Sequence, residues 1–130
     1  MSWASRELSQ ANLGDKRRNR RLVRIVEDLA ASPESSVPLA SRDRAALQGM
    51  YDFWSNPRIK AASILDAHVW SAVNRSENRG VVLAIQDTTE LDYSGHWNKR
   101  GLGYLRGENT KGVLLHSVLS VGCDGTPLGI

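Results

Sequence analysis

The spacing of apolar residues changes near Gly80, and this change limits the folds that the chain can adopt. Before Gly80, apolar residues recur every three or four positions, which is the period of an amphipathic helix. After it, they form short runs such as "VVLAI" at residues 81–85, which are typical of β-strands. The sequence therefore predicts an α+β protein, with a helical domain at residues 1–78 and the start of a sheet domain at residues 79–130.

The strongest helical signal lies in "LGDKRRNRRLVRIVEDLA", residues 13–30, where Asp15 is the expected N-cap. Two more helices are predicted within "SRDRAALQGMYDFWSNP" and "AASILDAHVWSAVNR", and the linker "SPESSVPLA" at residues 32–40 is expected to be non-helical. The first two helices each carry apolar residues at helical spacing. The predicted core comprises Leu22, Ile25, Val26, Leu29, Leu47, Met50, Tyr51 and Trp54.

Positive charge is concentrated in the first half of the chain. Residues 1–60 hold 11 Lys and Arg against 7 Asp and Glu, whereas residues 61–130 hold 6 against 7. Clustered cations indicate a polyanionic partner, although a charged helix face is also compatible with simple exposure to solvent. Because this cluster is rich in arginine, it suits contact with phosphates. The predicted DNA-binding residues are Lys16, Arg17, Arg20, Arg21 and Arg24.

Three strands are predicted after Gly80. They are "VVLAI", then "VLLHSVLSV" at residues 113–121, and then the apolar "TPLGI" at residues 126–130. Asp124-Gly125 between the last two is a strong hairpin signal, and the glycine-rich segment between the first two is expected to be a loop. A strand ending at Ile130 would leave an unpaired edge, so the sheet is expected to be truncated.

Asp87 follows the first predicted strand directly, and two interpretations of it are open. An aspartate at the end of a strand is commonly a turn former that accepts hydrogen bonds from the next backbone amides. The alternative is a metal ligand at the edge of a sheet, because cations such as Mg²⁺ bind carboxylate oxygens on a rigid support. Thr88 and Thr89 suit both interpretations. The local pattern alone favours the turn.

Other features limit where the chain can act. No apolar run is long enough to cross a membrane, and the first residues lack the layout of a signal peptide. Cys123 is the one cysteine, so no internal disulfide is possible. We therefore expect a soluble, cytoplasmic protein with no membrane partner.

Six motifs occur along the chain in a fixed order from Leu13 onward. They are "LGDKRRNRRL", "GMYDFWSNPRI", "IQDTTELDYSGH", "GLGYL", "LLHSVLSV" and "DGTPLGI". Together they resemble the front part of bacterial DDE transposases of the insertion-sequence-four-like group. This resemblance implies that the helical domain binds the double-stranded DNA of transposon ends. It also implies that residues 79–130 are the first three antiparallel strands of a ribonuclease-H-like α/β domain.

The resemblance assigns Asp87 as the first of three catalytic carboxylates and as a ligand of Mg²⁺ or Mn²⁺. The family's later acids lie beyond the equivalent of Ile130, and no acid of this sequence takes their place; the acids considered are Glu90, Asp92, Glu108 and Asp124. We therefore expect a transposase fragment that is inactive alone. Its parent enzyme would cleave DNA, join the 3′ ends to a target and act as a homodimer on paired ends.

A second hypothesis comes from a different class of protein. The chain would then be a stand-alone DNA-binding regulator that occupies transposon ends without cutting them. The reading frame after Ile130 distinguishes the two, because further acidic strand ends favour the enzyme and a stop codon favours the regulator.

Overall fold

The computed structural model describes residues 1–96, 98–107 and 109–130, which form helices followed by a small antiparallel sheet. This arrangement confirms the predicted α+β class. The helices are α1 (Trp3–Glu7), α2 (Lys16–Ala31), α3 (Val37–Ala40), α4 (Arg44–Trp54) and α5 (Ala61–Ser76). The strands are β1 (Val82–Asp92), β2 (Gly103–Tyr104), β3 (Lys111–Gly122) and β4 (Pro127–Gly129).

The chain divides into two compact units, Met1–Asn74 and Arg75–Ile130, which we call the helical unit and the sheet unit. The structural boundary follows Asn74, whereas the sequence places the domain boundary slightly later, after residue 78. No helix in the described part of the chain is long and apolar enough to cross a membrane.

Aspartates are the N-caps of α2 and α4. The Asp15 Oδ1 atom accepts a hydrogen bond from the Arg17 amide at 2.7 Å, and the Asp43 Oδ1 atom accepts one from the Ala46 amide at 2.7 Å. Each cap satisfies a backbone donor that has no partner inside the helix. Asp15 is therefore confirmed as the N-cap of α2.

The linker at residues 32–40 was expected to be non-helical, and this prediction is wrong at its end. Residues Val37–Ala40 form α3, a single helical turn. Pro38 is compatible with the first turn of a helix, because the amide that proline lacks has no intrahelical partner at that position. At the end of α3, the Ser41 hydroxyl donates to the Val37 carbonyl oxygen at 2.8 Å.

The core of the helical unit joins the N-terminal segment to α2, α4 and α5. Its buried members are Leu8, Ala11, Leu13, Leu22, Ile25, Met50, Phe53 and Ala67, with Val26 and Leu29 packed against them. The predicted α2 stripe and Met50 are thus confirmed, and Leu47 is half-buried. Tyr51 and Trp54 are wrong as core residues, because each keeps 47% of its surface exposed. The core uses the face of α4 that carries Met50 and Phe53.

The sheet has the order β1-β3-β2, and β4 also pairs with β3. In sequence, β1 was expected to end before Asp87, but it continues to Asp92. Its long partner β3 offers backbone groups along the whole length, so that Asp87 pairs with Ser117 and Asp92 pairs with Gly112. Strand pairing therefore extends β1 through a polar stretch that resembles a turn in sequence.

The two connections within the sheet differ in how well they follow the prediction. The predicted hairpin between β3 and β4 is confirmed: Gly125 has a φ of 83°, and the Gly122 amide donates to the Thr126 carbonyl oxygen at 2.9 Å. The predicted loop between β1 and β3 instead includes the short strand β2, which pairs with the beginning of β3. Trp97 and Glu108 lie outside the described residues.

Candidate nucleic-acid interface and the Asp87 site

The basic residues of α2 lie on its exposed side. Arg17, Arg20, Arg21 and Arg24 line one shallow concavity of about 280 Å³, and Lys16 is exposed at the start of the same helix. The structure therefore brings the four predicted arginines together on one surface, which we call the arginine face. The apolar stripe of α2 points away from it into the core, because the two sets of residues occupy different sides of the helix.

Arg17 is the member of the arginine face that has an acidic partner. Its Nη2 atom lies 3.0 Å from the Asp15 Oδ2 atom, and its side chain remains 84% exposed. The hydrogen bond from the Arg17 side chain, followed by the one from its amide, lowers the pKa of Asp15 to about 2. Asp15 thus remains charged at neutral pH and compensates part of the charge of Arg17.

The other arginines of this face differ from Arg17 in their contacts with acidic side chains. Within the described parts of the chain, no acidic side chain forms an ion pair with Arg20, Arg21 or Arg24. The Arg20 Nε atom is 3.4 Å from the Lys16 carbonyl oxygen, so the Arg20 guanidinium lies along the surface of α2. These three side chains are the ones best placed to gain from an anionic partner.

Arg18 belongs to the same cluster in sequence but has a different role. Its Nη1 atom donates to the Leu13 carbonyl oxygen at 2.9 Å, and this contact ties the preceding segment to α2. Asn19 holds the same segment from the next position, since its side chain accepts from the Leu13 amide at 3.0 Å and donates to the Ala11 carbonyl oxygen at 2.7 Å. Both side chains therefore support the helix that presents the arginine face.

Arg42 extends the basic surface and was missed by sequence reasoning. It lines a concavity of about 290 Å³ between α2 and α4 together with Arg21 and Arg24. Its Nε atom lies 2.8 Å from the Oδ1 atom of the buried Asp28, while its side chain is 59% exposed. The available signal was Asp28 itself, because a carboxylate on the inner side of an amphipathic helix requires a basic partner.

A second concavity, of about 310 Å³, lies at the other side of Arg21. It is lined by Arg17, Arg18 and Arg21 from α2 and by Gly49 and Asp52 from α4, among others. Arg21 thus lies between the two concavities and contributes to both. The basic surface therefore includes the groove between α2 and α4 as well as the exposed side of α2.

Asp87 stands in the middle of β1 with its side chain exposed. It is not in a turn, so the turn-former interpretation is wrong. Side chains alternate between the faces of a strand, and directly opposed residues share a face. The face that includes Asp87 is otherwise apolar except for Thr89, Ser117 and, at the start of β3, Lys111. Its apolar members are Leu83, Ile85, Leu91, Val113, Leu115, Leu119 and Val121.

The acids Glu90, Asp92 and Asp124 of the sheet unit lie away from Asp87. Glu90 and Asp92 occupy alternate positions of β1 and so project from the opposite face. The hydrogen bonds from the side chain and the amide of Ser94 lower the pKa of Asp92. Asp124 lies in the β3–β4 turn, where its Oδ1 atom is 3.1 Å from the Arg79 Nη1 atom. Glu108 falls outside the described residues.

The described residues contain no group of three or more His, Cys, Asp or Glu side chains that could hold a metal ion. Asp87 has only hydroxyl and apolar side chains as neighbours on its own face of β1 and β3. The residues of this sequence that the structure describes therefore do not form a complete metal site. Whether Asp87 contributes to one in a larger assembly remains a prediction from the sequence.

A comparison with protein families matches residues 1–59 to a model described as transposase DNA-binding. The matched segment contains α1 to α4 and thus the whole arginine face, together with Arg42 and Gly49. The match supports DNA as the partner of the helical unit and a transposase as the type of protein. It ends before α5 and the sheet unit.

Proposed function

We propose that the helical unit binds the ends of a transposable element through its arginine face. The observation that carries this proposal is the location of Arg20, Arg21 and Arg24, which form no ion pair with a described acidic residue, inside the segment that matches transposase DNA-binding domains. Arginine suits this role because its planar guanidinium donates hydrogen bonds to phosphate oxygens in a fixed geometry. These contacts position a protein on DNA but carry no direct sequence information.

The dimensions of the arginine face agree with contact to a DNA backbone. From Arg17 to Arg24 the helix rises by about 10 Å, at about 1.5 Å per residue. Successive phosphates of one strand rise by about 3.4 Å along the duplex axis, so a surface of this length faces several of them. Arg42 would add a contact from the neighbouring groove.

Salt dependence tests this part of the proposal. If about four phosphates are neutralised, raising the salt concentration from about 50 to about 200 mM should weaken binding by about two decades. Replacing Arg20 and Arg21 with alanine should flatten this dependence. An unchanged salt slope would remove these residues from the interface. A comparison of transposon-end DNA with a scrambled duplex would separate sequence recognition from phosphate contact.

We further propose that Asp87 is the first catalytic carboxylate of a parent transposase with a ribonuclease-H-like domain and that it binds Mg²⁺ or Mn²⁺ there. The setting of Asp87 supports this, because a carboxylate on an apolar face is costly to cover unless a cation or donor compensates it. Two-metal enzymes use such ions to activate a nucleophile and to stabilise the leaving oxygen. Since the described residues do not complete a metal site, the remaining ligands would come from elsewhere in the parent.

The parent's activity would be cleavage of transposon ends followed by joining of the 3′ ends to target DNA. The test is a strand-cleavage assay with Mg²⁺ or Mn²⁺ on this chain, on the parent and on the parent carrying Asp87→Asn. We expect cleavage only by the unchanged parent, because the substitution preserves shape but removes the charge that attracts metal ions. Metal-dependent cutting by this chain alone, or full activity of the substituted parent, would contradict the assignment.

A stand-alone regulator that occupies transposon ends is the second candidate function. It is favoured by one observation: the match to transposase DNA-binding domains covers residues 1–59 and ends before the sheet unit. Such a protein would compete with a transposase for end DNA without cutting it.

We also propose that the parent acts as a homodimer on paired ends. Sedimentation of the parent with end DNA, compared with the parent alone, would test this.

A further inference from the structure

Gly49 occupies an unfavourable position for a glycine. It lies in the middle of α4, where glycine lowers helix stability relative to alanine because it loses more backbone freedom on folding. Its backbone is helical and has none of the positive φ values that favour glycine elsewhere in the chain. Backbone conformation therefore gives no reason for a glycine here.

The surroundings of Gly49 supply the reason. A Cβ atom at this position would overlap the Arg21 Nη1 atom and would lie 2.9 Å from Arg21 Cζ and 3.5 Å from Nη2. All three contacts are with the guanidinium group. The end of the Arg21 side chain thus occupies the space that a side chain at position 49 would take, directly against the backbone of α4.

Arg21 lines both concavities of the α2–α4 groove, and packing against Gly49 restricts the positions that its guanidinium can take there. One of these concavities also includes Arg24 and Arg42, and the other includes Arg17 and Gly49. A free arginine loses considerable rotamer freedom when it binds a ligand. An arginine that is already held in place loses less, so the same phosphate contact yields higher affinity.

We propose that Gly49 is a positioning residue, which leaves the space that the Arg21 guanidinium occupies in the groove and so places it for contact with a DNA phosphate. The inference rests on the proposed DNA-binding function and extends it to a residue without charge or hydrogen-bonding side chain. A purely structural role would give a different pattern. Because the clash with alanine involves the mobile end of a long side chain, Arg21 can move away at little cost to the fold.

The experiment is a double-mutant cycle with Arg21→Ala, Gly49→Ala and the doubly substituted chain. Affinity would be measured with a short fluorescent duplex of mixed sequence, and thermal stability would be measured in the same buffer. Losing a charged hydrogen bond through Arg21→Ala should weaken binding by about tenfold. Gly49→Ala should weaken binding severalfold without lowering the melting temperature. In the Arg21→Ala background it should have no further effect.

Gly80→Ala is the matched control, because it makes the same chemical change where no atom lies within 4 Å of the new Cβ. It should leave affinity unchanged. If Gly49→Ala leaves affinity unchanged, or weakens it equally with and without Arg21, the positioning role is overturned. If Gly49→Ala lowers the melting temperature, Arg21→Ala should restore it by removing the clash, and failure to do so would also overturn the role.

The same cycle separates this inference from the proposed function. If Arg21→Ala itself leaves DNA affinity unchanged, Arg21 is not a DNA contact, and the assignment of the arginine face is wrong at that residue. If Arg21→Ala weakens binding but Gly49→Ala does not, the DNA contact stands and only the role of Gly49 fails.

Discussion

The helical unit and the sheet unit bury their apolar residues to different extents. In the helical unit, apolar side chains from several segments meet in one core, and Met50 is only 1% exposed. In the sheet unit, Leu83, Ile85 and Leu115 each keep about half of their surface exposed, at 48%, 52% and 51%. Among the described residues of the sheet unit, Val121 and Leu128 are the buried apolar side chains.

The contrast shows that two different interactions hold the two units. An amphipathic helix gains most of its stability by packing its apolar side against neighbours, which the helical unit achieves. The β1–β3 ladder pairs continuously from Val82 opposite Gly122 to Asp92 opposite Gly112, so its order rests on backbone hydrogen bonds. Truncating an apolar side chain should therefore have unequal effects in the two units.

The largest expected effect comes from truncating matched apolar residues. Met50→Ala should lower the free energy of unfolding by about 2–5 kcal/mol, because it removes buried methylene groups and leaves a cavity. Leu115→Ala should cost less than about 1 kcal/mol, since the side chain is half exposed and leaves no enclosed space. Urea unfolding followed by circular dichroism would measure both changes, with Tyr51→Ala as the exposed control on α4. Equal losses at Met50 and Leu115 would mean that the face of β1 and β3 is covered in solution.

A smaller effect is expected when charge is removed from each unit in turn. Replacing Arg20 and Arg24 with alanine should weaken DNA binding by at least about tenfold and lower the salt slope by about two, because two phosphate contacts are lost. Replacing Arg100 and Arg106 removes the same charge from the sheet unit and should leave both quantities almost unchanged. Fluorescence anisotropy at several salt concentrations would measure them. Equal losses in the two variants would show that net charge, rather than the arginine face, governs binding.

The helical unit was the more predictable of the two because its signals are local. The cap at Asp15 and the stripe that includes Leu22 and Ile25 specify α2 within a single segment. The core face of α4 was less certain, because apolar and aromatic residues cover more than one side of that helix. Only packing against its neighbours selects Phe53 over Tyr51 and Trp54.

Features that depend on distant partners could not be predicted. The length of β1 is set by pairing with β3, which overrides the turn-like composition around Asp87. Asp28 signals that a basic partner is needed, but the ion pair with Arg42 forms only in the folded chain. The role of Gly49 likewise depends on a guanidinium from another helix. Sequence motifs predict roles for Arg21 and Asp87, but the surroundings of each residue come from tertiary structure.

The smallest expected effect concerns two aspartates, one in each unit, that differ in what stabilises their charge. The largest influence on the pKa of Asp15 is the hydrogen bond from the Arg17 side chain, whereas for Asp124 it is the one from the Thr126 amide, ahead of Arg79. Both pKa values are lowered. Each carboxylate therefore stabilises the fold at pH values above its unfolded pKa of 3.8. This contribution is lost as the pH falls through the folded pKa, which is about 2 for Asp15.

Removing the arginine partner should therefore affect the two aspartates unequally. In Arg17→Ala the pKa of Asp15 should rise markedly towards 3.8, because its main donor is gone and only the amide at position 17 remains. In Arg79→Ala the pKa of Asp124 should rise less, because the Thr126 amide still donates to its Oδ1 atom at 3.1 Å. Carboxyl chemical shifts followed by NMR between about pH 1 and pH 6 would give both values, since that window spans the folded and unfolded pKa. A larger rise at Asp124 than at Asp15 would show that Arg17 is not held by Asp15 in solution. Arg17 would then be as available to DNA as Arg20, Arg21 and Arg24 beside it.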